Sequence, residues 1–530
     1  MPSPEQPHDP GRQFVEVALP LPVRQNFTYR LSDQFGHAKT GARVLVPFGK
    51  RTLTGYLVGF PSNIGPELDA ESLKPVLELI DDEPLITDEI LELTRWSADY
   101  YAASWGEMLK ASLPAGINAG VDQIVSITSK GRLELINNSS AKNKRNQLLS
   151  RLASDGDADI KRLAIEFGES AAKRAVRELA NAGNASIRFE TALPSVKAKR
   201  RKAVRLISDP SEALTDPQIR ILDALKASVE PIAFTDLLTA ADVGASPVNT
   251  LAKRGIVEVF VQEVSRDPLA GAELPKALDL KLNAEQSFVL SEITNAVRNS
   301  KYQGFLLHGV TGSGKTEVYI RAMQQTLALG RGSLMLVPEI ALTPIFSRRL
   351  RAAFGGQVAI LHSSLSPGER YDEWRRIRSG KARIVIGTRS AVFAPITDIG
   401  LIVIDEEHDS SYRQNESPFY NARDLAVIRA SRANAVIVLG SATPSLESFH
   451  NSKSGKYQYL QLQQRIGDRP MATAELIDMR EVFKRAGKDV VISQQLIEAI
   501  RETHAKCEQS IILLNRRGFS SFVLCRSCGE

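Results

Sequence analysis

Cysteine is scarce in this sequence, since its 530 residues include only three. Proteins held by a disulfide framework are short and cysteine-rich, so this composition excludes that class. Two of the three, Cys525 and Cys528, form a CxxC pair beside the last residue, a spacing typical of thiolate metal sites. Cys507 has no such neighbour, and we expect it to pack against apolar side chains rather than to bind metal.

Long apolar runs are also missing from the sequence. No segment approaches the roughly 20 apolar residues that a membrane-spanning helix needs. The N-terminal sequence MPSPEQPHDP lacks the apolar stretch of a signal peptide, so we expect a cytoplasmic protein without a membrane partner. A single hydrophobic core stops growing near about 250–300 residues, and this chain therefore contains several domains.

Neither sign of charge dominates the whole chain, but charge is distributed unevenly. Residues 1–120 contain 10 Lys and Arg against 16 Asp and Glu, a net charge of −6, whereas residues 121–210 contain 18 against 10, a net charge of +8. A basic segment attracts phosphate backbones. Its densest part, KAKRRKAVR at Lys197–Arg205, is interpreted either as a solvated linker or as a segment that contacts phosphate.

The order of apolar patterns predicts the domain organisation. Short strand-like runs separated by Pro and Gly predict a small β-rich domain over residues 12–115, closed by a helix that Thr87 caps. Residues 121–270 contain two similar stretches of short amphipathic helices, each ending in a strand-like run, which predicts two α+β winged-helix modules. Residues 275–465 alternate apolar runs with helices, as in a parallel α/β sheet.

A phosphate-binding loop lies in the α/β region. The strand-like Gly304–His308 leads into GVTGSGKT and then into a helix, which is the strand, loop and helix context of a P-loop. The backbone of such a loop surrounds phosphates, while Lys315 neutralises their oxygens and the Thr316 hydroxyl binds Mg²⁺. The residues predicted to bind the nucleotide are Gly309, Val310, Thr311, Gly312, Ser313, Gly314, Lys315 and Thr316.

An apolar run downstream of the P-loop ends in acidic residues. The sequence LIVIDEEH at Leu401–His408 is typical of a buried strand that brings carboxylates to the edge of a sheet. We expect Asp405 to bind Mg²⁺, Glu406 to orient or deprotonate the attacking water, and His408 to link hydrolysis to the DNA side. The alternative is an acidic cluster at a helix N-terminus, which the preceding P-loop disfavours.

Three shorter segments resemble motifs of superfamily 2 helicases and occur in the same order. LVPEIALT ends at Thr343, GTR ends at Arg389 and SAT spans Ser441–Thr443. The resemblance implies that Thr343 and Arg389 contact the DNA backbone. It also implies that Ser441 and Thr443 couple the state of the nucleotide to movement along the strand.

Longer segments resemble one bacterial family, the replication-restart helicases called primosomal protein N′. They are LNAEQ, GVTGSGKTEVY, VPEIALTP, IGTRSAVFAP, VIDEEHDSSY, LGSATPS and LNRRGF. The resemblance runs from about residue 14 to the end of the chain and implies a RecA-like α/β P-loop lobe over residues 275–465. Residues 466–530 then begin a second lobe and the first half of a zinc knuckle, so we expect a C-terminally truncated family member.

The family resemblance extends to individual residues of the α/β region. Gln286 resembles a glutamine that reads adenine, which implies ATP as the nucleotide. SPFYNARD at Ser417–Asp424 resembles an aromatic-rich loop that senses single-stranded DNA, with Phe419 and Tyr420 stacking on bases and Arg423 contacting a phosphate or a ring. In the alternative interpretation both aromatic side chains pack the loop against the core.

The two ends of the chain resemble parts of the same family. Residues 12–115 resemble its domain for the 3′ end of a nascent strand, with a pocket at Phe27, Thr28, Gly49 and Lys74. The family often has an acidic residue where Thr28 stands, although a hydroxyl can still bond to a terminal 3′-OH. Cys525 and Cys528 resemble half of a Zn²⁺ knuckle and supply two of its four ligands.

The resemblance implies an ATP-dependent 3′–5′ DNA helicase that recognises stalled or forked DNA and restarts replication by primosome assembly. Its cofactors would be ATP, Mg²⁺ and Zn²⁺. Its partners would be forked and single-stranded DNA, primosome proteins, a helicase loader and single-stranded-DNA-binding protein. We expect a nucleoid-associated monomer whose present 530-residue chain is inactive alone.

Two other functions stay open from the sequence. One is a duplex DNA translocase of the fork-reversal or repair type, which would lack the preference for a strand end. The other is a fork-recognition scaffold without helicase activity, which the intact Lys315, Asp405 and Glu406 disfavour.

Overall fold

A computed structural model gives the fold of most of the chain. The described residues are 13–49, 51–61, 69–117, 121–137, 144–191, 199–210, 214–228, 230–264, 266, 274–275, 280–467, 473–487 and 490–513. The chain divides into two compact units, Met1–Gln464 and Arg465–Glu530. Among the described residues, no helix has both the length and the apolar composition for a membrane span.

The N-terminal domain is a five-stranded antiparallel sheet with two helices. Its elements are β1 (Phe14–Ala18), β2 (Phe27–Arg30), β3 (Arg43–Phe48), β4 (Arg51–Gly59), β5 (Glu78–Leu79), α1 (Asp88–Tyr100) and α2 (Trp105–Ser112). The strands are ordered β2-β1-β4-β3-β5. The predicted cap of α1 is confirmed, because the Thr87 hydroxyl accepts a hydrogen bond from the Ile90 backbone N–H at 3.4 Å.

Two modules follow the N-terminal domain and have the same order of elements apart from one additional helix, α3, in the first. The first module contains β6 (Val121–Ile127), α3 (Ser129–Asn137), α4 (Lys144–Asp155), β7 (Ala158–Asp159), α5 (Ile160–Phe167), α6 (Glu169–Asn181) and β8 (Ala185–Thr191). The second contains β9 (Lys199–Leu206), α7 (Asp216–Lys226), β10 (Ile232–Ala233), α8 (Phe234–Ala240), α9 (Ala245–Lys253) and β11 (Val257–Val264). Each has a three-stranded sheet whose first strand is central, and each encloses its own hydrophobic core.

The basic run between the modules is not a solvated linker in its described part. Residues Lys199–Leu206 form β9, which pairs with β11 along its whole length. Ala203 and Val204 fill buried positions of the second module, while the charged side chains around them remain at the surface. The density of charge concealed these two buried residues from sequence analysis. Lys197 lies outside the described residues.

The α/β lobe is a seven-stranded parallel sheet covered by helices. Its helices are α10 (Ala284–Arg298), α11 (Lys315–Ala328), α12 (Pro344–Phe354), α13 (Pro367–Arg378), α14 (Ala422–Arg432) and α15 (Leu446–Lys453). Its strands are β12 (Gln303–Gly309), β13 (Gly332–Leu336), β14 (Val358–Leu361), β15 (Ile384–Gly387), β16 (Ile399–Asp405), β17 (Arg413–Gln414), β18 (Tyr420–Asn421), β19 (Val436–Ser441) and β20 (Gln458–Leu462). Strands β17 and β18 form a separate antiparallel pair.

The order of the parallel strands is β14-β15-β13-β16-β19-β12-β20. Strand β19 therefore lies between β12, which precedes the P-loop, and β16, which precedes the acidic residues. Because parallel strands end at one edge of the sheet, the segments that follow these three strands converge there. The predicted fold class, a β-rich N-terminal domain, an α+β middle and a RecA-like α/β lobe, is confirmed.

The N-terminal domain and the α/β lobe share one hydrophobic cluster. Buried Tyr56 of β4, Ile90 of α1 and Trp105 of α2 belong to the same contiguous cluster as Phe393 and Leu425 of the lobe. The opposite face of the N-terminal sheet has a separate small core of its own. The domain is therefore packed onto the lobe rather than tethered to it.

The second compact unit contains α16 (Met479–Ala486) and α17 (Gln494–Ala505). Cys507 follows α17 and is exposed, so the expectation that it packs against apolar side chains is wrong. Its φ of 57° places it in the turn that ends α17, and that helix contains no buried residue against which the thiol could pack. Cys525 and Cys528 lie outside the described residues.

Candidate nucleotide and DNA site

The P-loop connects β12 with α11 at the carboxyl edge of the sheet. Gly312 and Gly314 have φ of 81° and 86°, a left-handed conformation that glycine adopts without strain. The Lys315 ammonium is mostly buried and donates to the Gly309 carbonyl at 2.8 Å, across the loop. The Ser313 hydroxyl is buried and has no partner among the described atoms. These donors at the start of α11 suit an anionic phosphate group.

Gln286 supports the P-loop from α10. Its side chain is buried, with the residue 3% exposed, and its Nε2 donates to the Ser313 carbonyl at 2.8 Å. Its Oε1 accepts from the Asn283 backbone N–H at 3.0 Å, which completes a capping box at the start of α10. The side chain thus fixes the loop from inside the protein, while contact with adenine stays a prediction. The sequence signal for this role is the Asn-x-x-Gln spacing of the box.

Asp405 ends β16 in a partly buried position. Burial, followed by the neighbouring Glu406 charge, raises the pKa of its carboxyl to about 6, although Lys315 acts in the opposite direction. The Tyr319 hydroxyl donates to Asp405 Oδ1 at 3.3 Å, and the Tyr412 hydroxyl donates to its backbone carbonyl at 2.6 Å. The two tyrosines, which sequence analysis missed, therefore fix this strand end.

The oxygen donors at this edge fit a magnesium ion. Burial and a like charge both destabilise the ionised form of a carboxyl group. A cation beside the group would stabilise that form. Asp405 and the hydroxyl of Thr316 are hard oxygen ligands of the kind that Mg²⁺ prefers. The site is therefore chemically consistent with the predicted metal.

Glu406 has a backbone conformation that non-glycine residues rarely adopt. Its φ is 45°, in the left-handed region, directly after the buried strand β16. Such a conformation costs on the order of 1–3 kcal/mol and is concentrated at functional sites. The strain turns the chain so that Glu406 and the next residue, Glu407, have different surroundings.

Glu407 was missed by sequence analysis and is the most highly bonded residue of the DEEH segment, Asp405–His408. Its side chain is 0% exposed. Its oxygens accept from the Ser445 backbone N–H at 2.6 Å, the Ser448 hydroxyl at 2.8 Å and Arg423 Nη1 at 3.1 Å. Glu407 thereby joins the DEEH segment to the residues that start α15 and to the aromatic-rich loop, Ser417–Asp424.

His408 connects the DEEH segment with the SAT residues. Its Nδ1 lies 2.8 Å from the Ser441 hydroxyl and 3.7 Å from Glu406 Oε2. Its Nε2 lies 3.5 Å from the Thr443 hydroxyl. The structure thus brings together the residues predicted to couple hydrolysis to movement along DNA.

The predicted DNA residues of the α/β lobe have different surroundings. The Thr343 hydroxyl caps α12 by accepting from the Phe346 backbone N–H at 3.2 Å. Arg389 donates to the Arg413 carbonyl at 2.9 Å and so supports β17. Phe419 is 54% exposed and offers a ring face to solvent.

Tyr420 differs from its neighbour Phe419 because it is buried. Its ring lies 5.3 Å from that of Phe393, in an edge-to-face arrangement. In this conformation Tyr420 anchors the aromatic-rich loop rather than offering a stacking surface. The alternative interpretation, packing against the core, therefore describes one of the two aromatic residues.

The predicted strand-end residues lie around β2 of the N-terminal domain. Phe27 and Phe48 make an edge-to-face contact at 5.1 Å, and Gly49 follows with a φ of 58°. The Lys74 carbonyl accepts from the Arg30 backbone N–H at 3.0 Å, which brings an exposed lysine beside the end of β2. Thr28 pairs across strands with Glu16, so an acidic side chain adjoins the hydroxyl from the neighbouring strand.

The fold and this site define a class of protein, a P-loop motor lobe of the helicase type joined to a β-rich domain. Comparison with protein families agrees with both parts. Residues 16–114 match the 3′ DNA-binding domain of the replication restart proteins PriA, and residues 286–451 match the DEAD/DEAH box helicase domain.

Curated relatives extend this similarity along the chain. It is 36% identical to the replication restart protein PriA of Bacillus subtilis, over 97% of this chain and 64% of the relative. The corresponding protein of Synechocystis is 35% identical over 99% and 63%, and that of Haemophilus influenzae is 32% identical over 98% and 60%. The chain thus spans less than two thirds of the length of these relatives. Along nearly its whole length the chain is similar to replication restart proteins, as the sequence motifs predicted.

Cys525 and Cys528 lie outside the described residues. Among the residues that are described, no group of three or more His, Cys, Asp or Glu side chains could hold a metal ion.

Proposed function

We propose that this chain supplies the strand-end-binding domain and the nucleotide-binding lobe of an ATP-dependent 3′–5′ DNA helicase that restarts replication at stalled forks. The observation that supports it most directly is the contact between Glu407 and Arg423, at 3.1 Å. This contact joins an acidic motif at the nucleotide edge to the loop that carries the exposed Phe419. A motor protein needs such a connection between the site that hydrolyses ATP and the surface that binds DNA.

The nucleotide side uses residues at the carboxyl edge of the sheet. The P-loop backbone and Lys315 hold the phosphates of ATP, and Thr316 and Asp405 hold Mg²⁺, which supplies charge neutralisation at the transferred phosphoryl group. Glu406 orients the attacking water from its strained position at the end of β16. His408 lies between Glu406 and Ser441, and so responds to both.

The DNA side uses two regions. In the α/β lobe, Thr343 and Arg389 contact the strand backbone, and Phe419 stacks on a base because its ring face is exposed. In the N-terminal domain, Phe27, Thr28, Gly49 and Lys74 surround the 3′ end of a nascent strand. The match to a 3′ DNA-binding domain supports this second assignment.

The family resemblance of the motifs also suggests the surroundings in which the protein acts. We propose that it works in the cytoplasm on chromosomal forks, together with primosome proteins, a helicase loader and single-stranded-DNA-binding protein. Cys525 and Cys528 would contribute two ligands to a structural Zn²⁺.

Substitution of the P-loop lysine in the full-length protein tests the proposed function. Lys315→Ala should lower DNA-stimulated ATP hydrolysis by at least about 100-fold, as the loss of a charge-stabilising donor typically does. Fork affinity should stay within a few-fold, because the strand-end residues lie in another domain. Lys301→Ala, at an exposed position of the same lobe, is the matched control.

Glu406→Gln separates nucleotide binding from hydrolysis. It should retain ATP affinity and lose turnover, because the phosphate contacts remain when the water-orienting carboxylate is gone. Normal ATP hydrolysis by Lys315→Ala would refute the motor assignment. Fork binding by a wild-type protein that never hydrolyses ATP would favour the scaffold instead.

A further inference from the structure

A chain of polar side chains leads from the N-terminal domain to the DEEH segment. It begins at Tyr101, directly after α1, whose hydroxyl donates to Asp424 Oδ2 at 2.8 Å. Burial and then the Asp424 charge raise the pKa of Tyr101, so its phenol stays protonated and remains a donor near neutral pH. The first contact therefore crosses from one domain to the other.

The next contacts pass through Arg423 in the aromatic-rich loop. Its Nε lies 3.4 Å from Asp424 Oδ1, and its Nη1 lies 3.1 Å from Glu407 Oε2 and 3.1 Å from the Ser445 hydroxyl. The Arg423 guanidinium is thus shared between the carboxylates of Asp424 and Glu407. Because the group is planar and rigid, a displacement at one end is felt at the other.

Glu407 then transmits position to the nucleotide edge. It lies between Glu406 and His408 in the chain, and its own backbone N–H donates to the Gly440 carbonyl of β19 at 3.0 Å. A shift of Glu407 would therefore move both the water-orienting residue and the residue that contacts Ser441. No direct contact between Tyr101 and the nucleotide is needed.

The support around Tyr101 is rigid. Five residues along α14 from Asp424, the fully buried Arg429 binds both Glu89 oxygens of α1 at 2.8 and 3.1 Å and the Val392 carbonyl at 2.7 Å. The shared hydrophobic cluster packs beneath these pairs. Helices α1 and α14 consequently hold Tyr101 and Asp424 in a fixed relation.

Helix α2, which packs against α1, rests on the sheet that carries the strand-end residues. A side chain at Gly106 of α2 would overlap the carbonyl oxygen of Leu19, which follows β1, so this approach requires glycine. Strand β1 in turn pairs with β2, where Phe27 and Thr28 lie. A contiguous packed path therefore connects the strand-end region with α1 and Tyr101.

We propose that Tyr101 is a positioning residue that couples the strand-end-binding domain to the ATPase site, acting through Asp424, Arg423 and Glu407. The inference rests on the proposed function and adds a route by which a bound 3′ end controls hydrolysis. Occupancy of the N-terminal domain sets the position of Asp424, and this sets the guanidinium that bonds to Glu407. Coupling between two sites commonly changes a rate or affinity by about five-fold or more.

The test compares forks whose nascent strand ends in a 3′-OH with forks that end in a 3′-phosphate, using the full-length protein at saturating DNA. Wild type should hydrolyse ATP faster on the free end by about five-fold or more. Tyr101→Phe, which removes only the hydroxyl, should bring this ratio close to one while fork affinity and the KM for ATP stay unchanged. Tyr100→Phe is the matched control, since Tyr100 is the adjacent tyrosine and is 64% exposed.

A second variant separates the relay from packing. Asp424→Asn keeps an oxygen acceptor for Tyr101 but removes the charge that holds Arg423. It should also bring the ratio of the hydrolysis rates on the two forks close to one. The double variant should resemble either single one, because residues of one network are not additive.

The outcomes separate this inference from the proposed function. A wild-type protein without DNA-stimulated hydrolysis would refute the proposed function. Stimulated hydrolysis with an unchanged ratio in Tyr101→Phe and Asp424→Asn would overturn the relay alone, as would a wild-type ratio of one. Loss of the ratio accompanied by an equal loss of fork affinity would also overturn the relay, because it would indicate damage to the domain.

Discussion

Two regions of the first compact unit differ in how their charged groups are paired. Where the N-terminal domain meets the α/β lobe, the Arg429 side chain is 0% exposed and its nitrogens have three oxygen acceptors. At the nucleotide edge, Asp405 is partly buried, and burial followed by the like charge of Glu406 raises the pKa of its carboxyl. Glu406 itself has a strained backbone, and the Ser313 hydroxyl has no partner among described atoms.

The difference shows that unfavourable interactions are concentrated at the nucleotide edge and not at the domain interface. A domain interface that must stay closed is stabilised when each buried charge is paired. A site that must bind phosphates and a cation is better left incomplete, because ligands then supply the missing interactions. Variants of single residues can test whether the two regions differ in this way.

The largest expected effect is at the interface. Arg429→Ala leaves a cavity, a Val392 carbonyl without its donor and a Glu89 carboxylate without its partner, and should lower the free energy of unfolding by about 3–5 kcal/mol. Tryptophan fluorescence during urea unfolding measures this, because the three tryptophans of the chain, Trp96, Trp105 and Trp374, all lie in or against the shared cluster. A loss below about 1 kcal/mol, as expected for exposed pairs, would show that the pair is dispensable.

The next largest effect is an increase in the free energy of unfolding, and it depends on pH. The folded-state pKa of Asp405, about 6, lies above its ordinary value of 3.8, so the folded protein binds this proton more tightly than the unfolded chain does. Stability from this group is present in acid and is lost as the pH rises through about 6. Without nucleotide and Mg²⁺, the free energy of unfolding of Asp405→Asn should therefore exceed that of wild type by about 2–3 kcal/mol at neutral pH.

Urea unfolding of wild type and Asp405→Asn at several pH values gives this difference. The two curves should converge below about pH 3, where the wild-type carboxyl is protonated in both states. A variant less stable than wild type at neutral pH would mean that Asp405 is satisfied without a ligand. The contrast between the two regions would then disappear.

A smaller gain is expected from backbone strain at the nucleotide edge. Glu406→Gly removes the side chain that makes a φ of 45° unfavourable, and should raise the free energy of unfolding by about 1 kcal/mol while abolishing ATP hydrolysis. Urea unfolding and an ATPase assay measure the two effects. Equal stability of Glu406→Gly and Glu406→Ala would argue that the backbone is not strained.

The smallest effect should come from an exposed pair near the interface. Arg432 lies one turn beyond Arg429 on α14, at 3.9 Å from Glu92, and both side chains are solvent-exposed. Arg432→Ala should change the free energy of unfolding by at most about 0.5 kcal/mol. Measured beside Arg429→Ala, it distinguishes the effect of burial from the mere loss of an arginine.

Contiguous motifs made much of the site predictable from sequence. The P-loop and the DEEH segment each combine a buried strand with polar residues at fixed spacing, so local order alone places them at the edge of a sheet. Contacts between distant parts of the chain were not predictable in this way. Tyr101 and Asp424 are 323 positions apart, and neither belongs to a motif that names the other.

Local patterns also misled where burial decides the outcome. The run around Arg200 and Arg201 looks solvated because charge dominates it, yet Ala203 and Val204 suffice to make it a central strand. Phe419 and Tyr420 are alike in chemistry, and only the position of Phe393 determines which of them turns inward. Such choices depend on tertiary packing and not on residue type.

The continuous cluster beneath α1 and α14 limits how this protein can exchange parts during evolution. A module with a closed core, such as β9–β11 with its helices, can be replaced or lost without exposing apolar surface on its neighbours. The N-terminal domain cannot be replaced or lost in this way. Its removal would expose Phe393 and Leu425 and would leave the Arg429 guanidinium without its Glu89 partner. Any chimera between family members should therefore inherit Asp88–Tyr100 and Ala422–Arg432 from one parent.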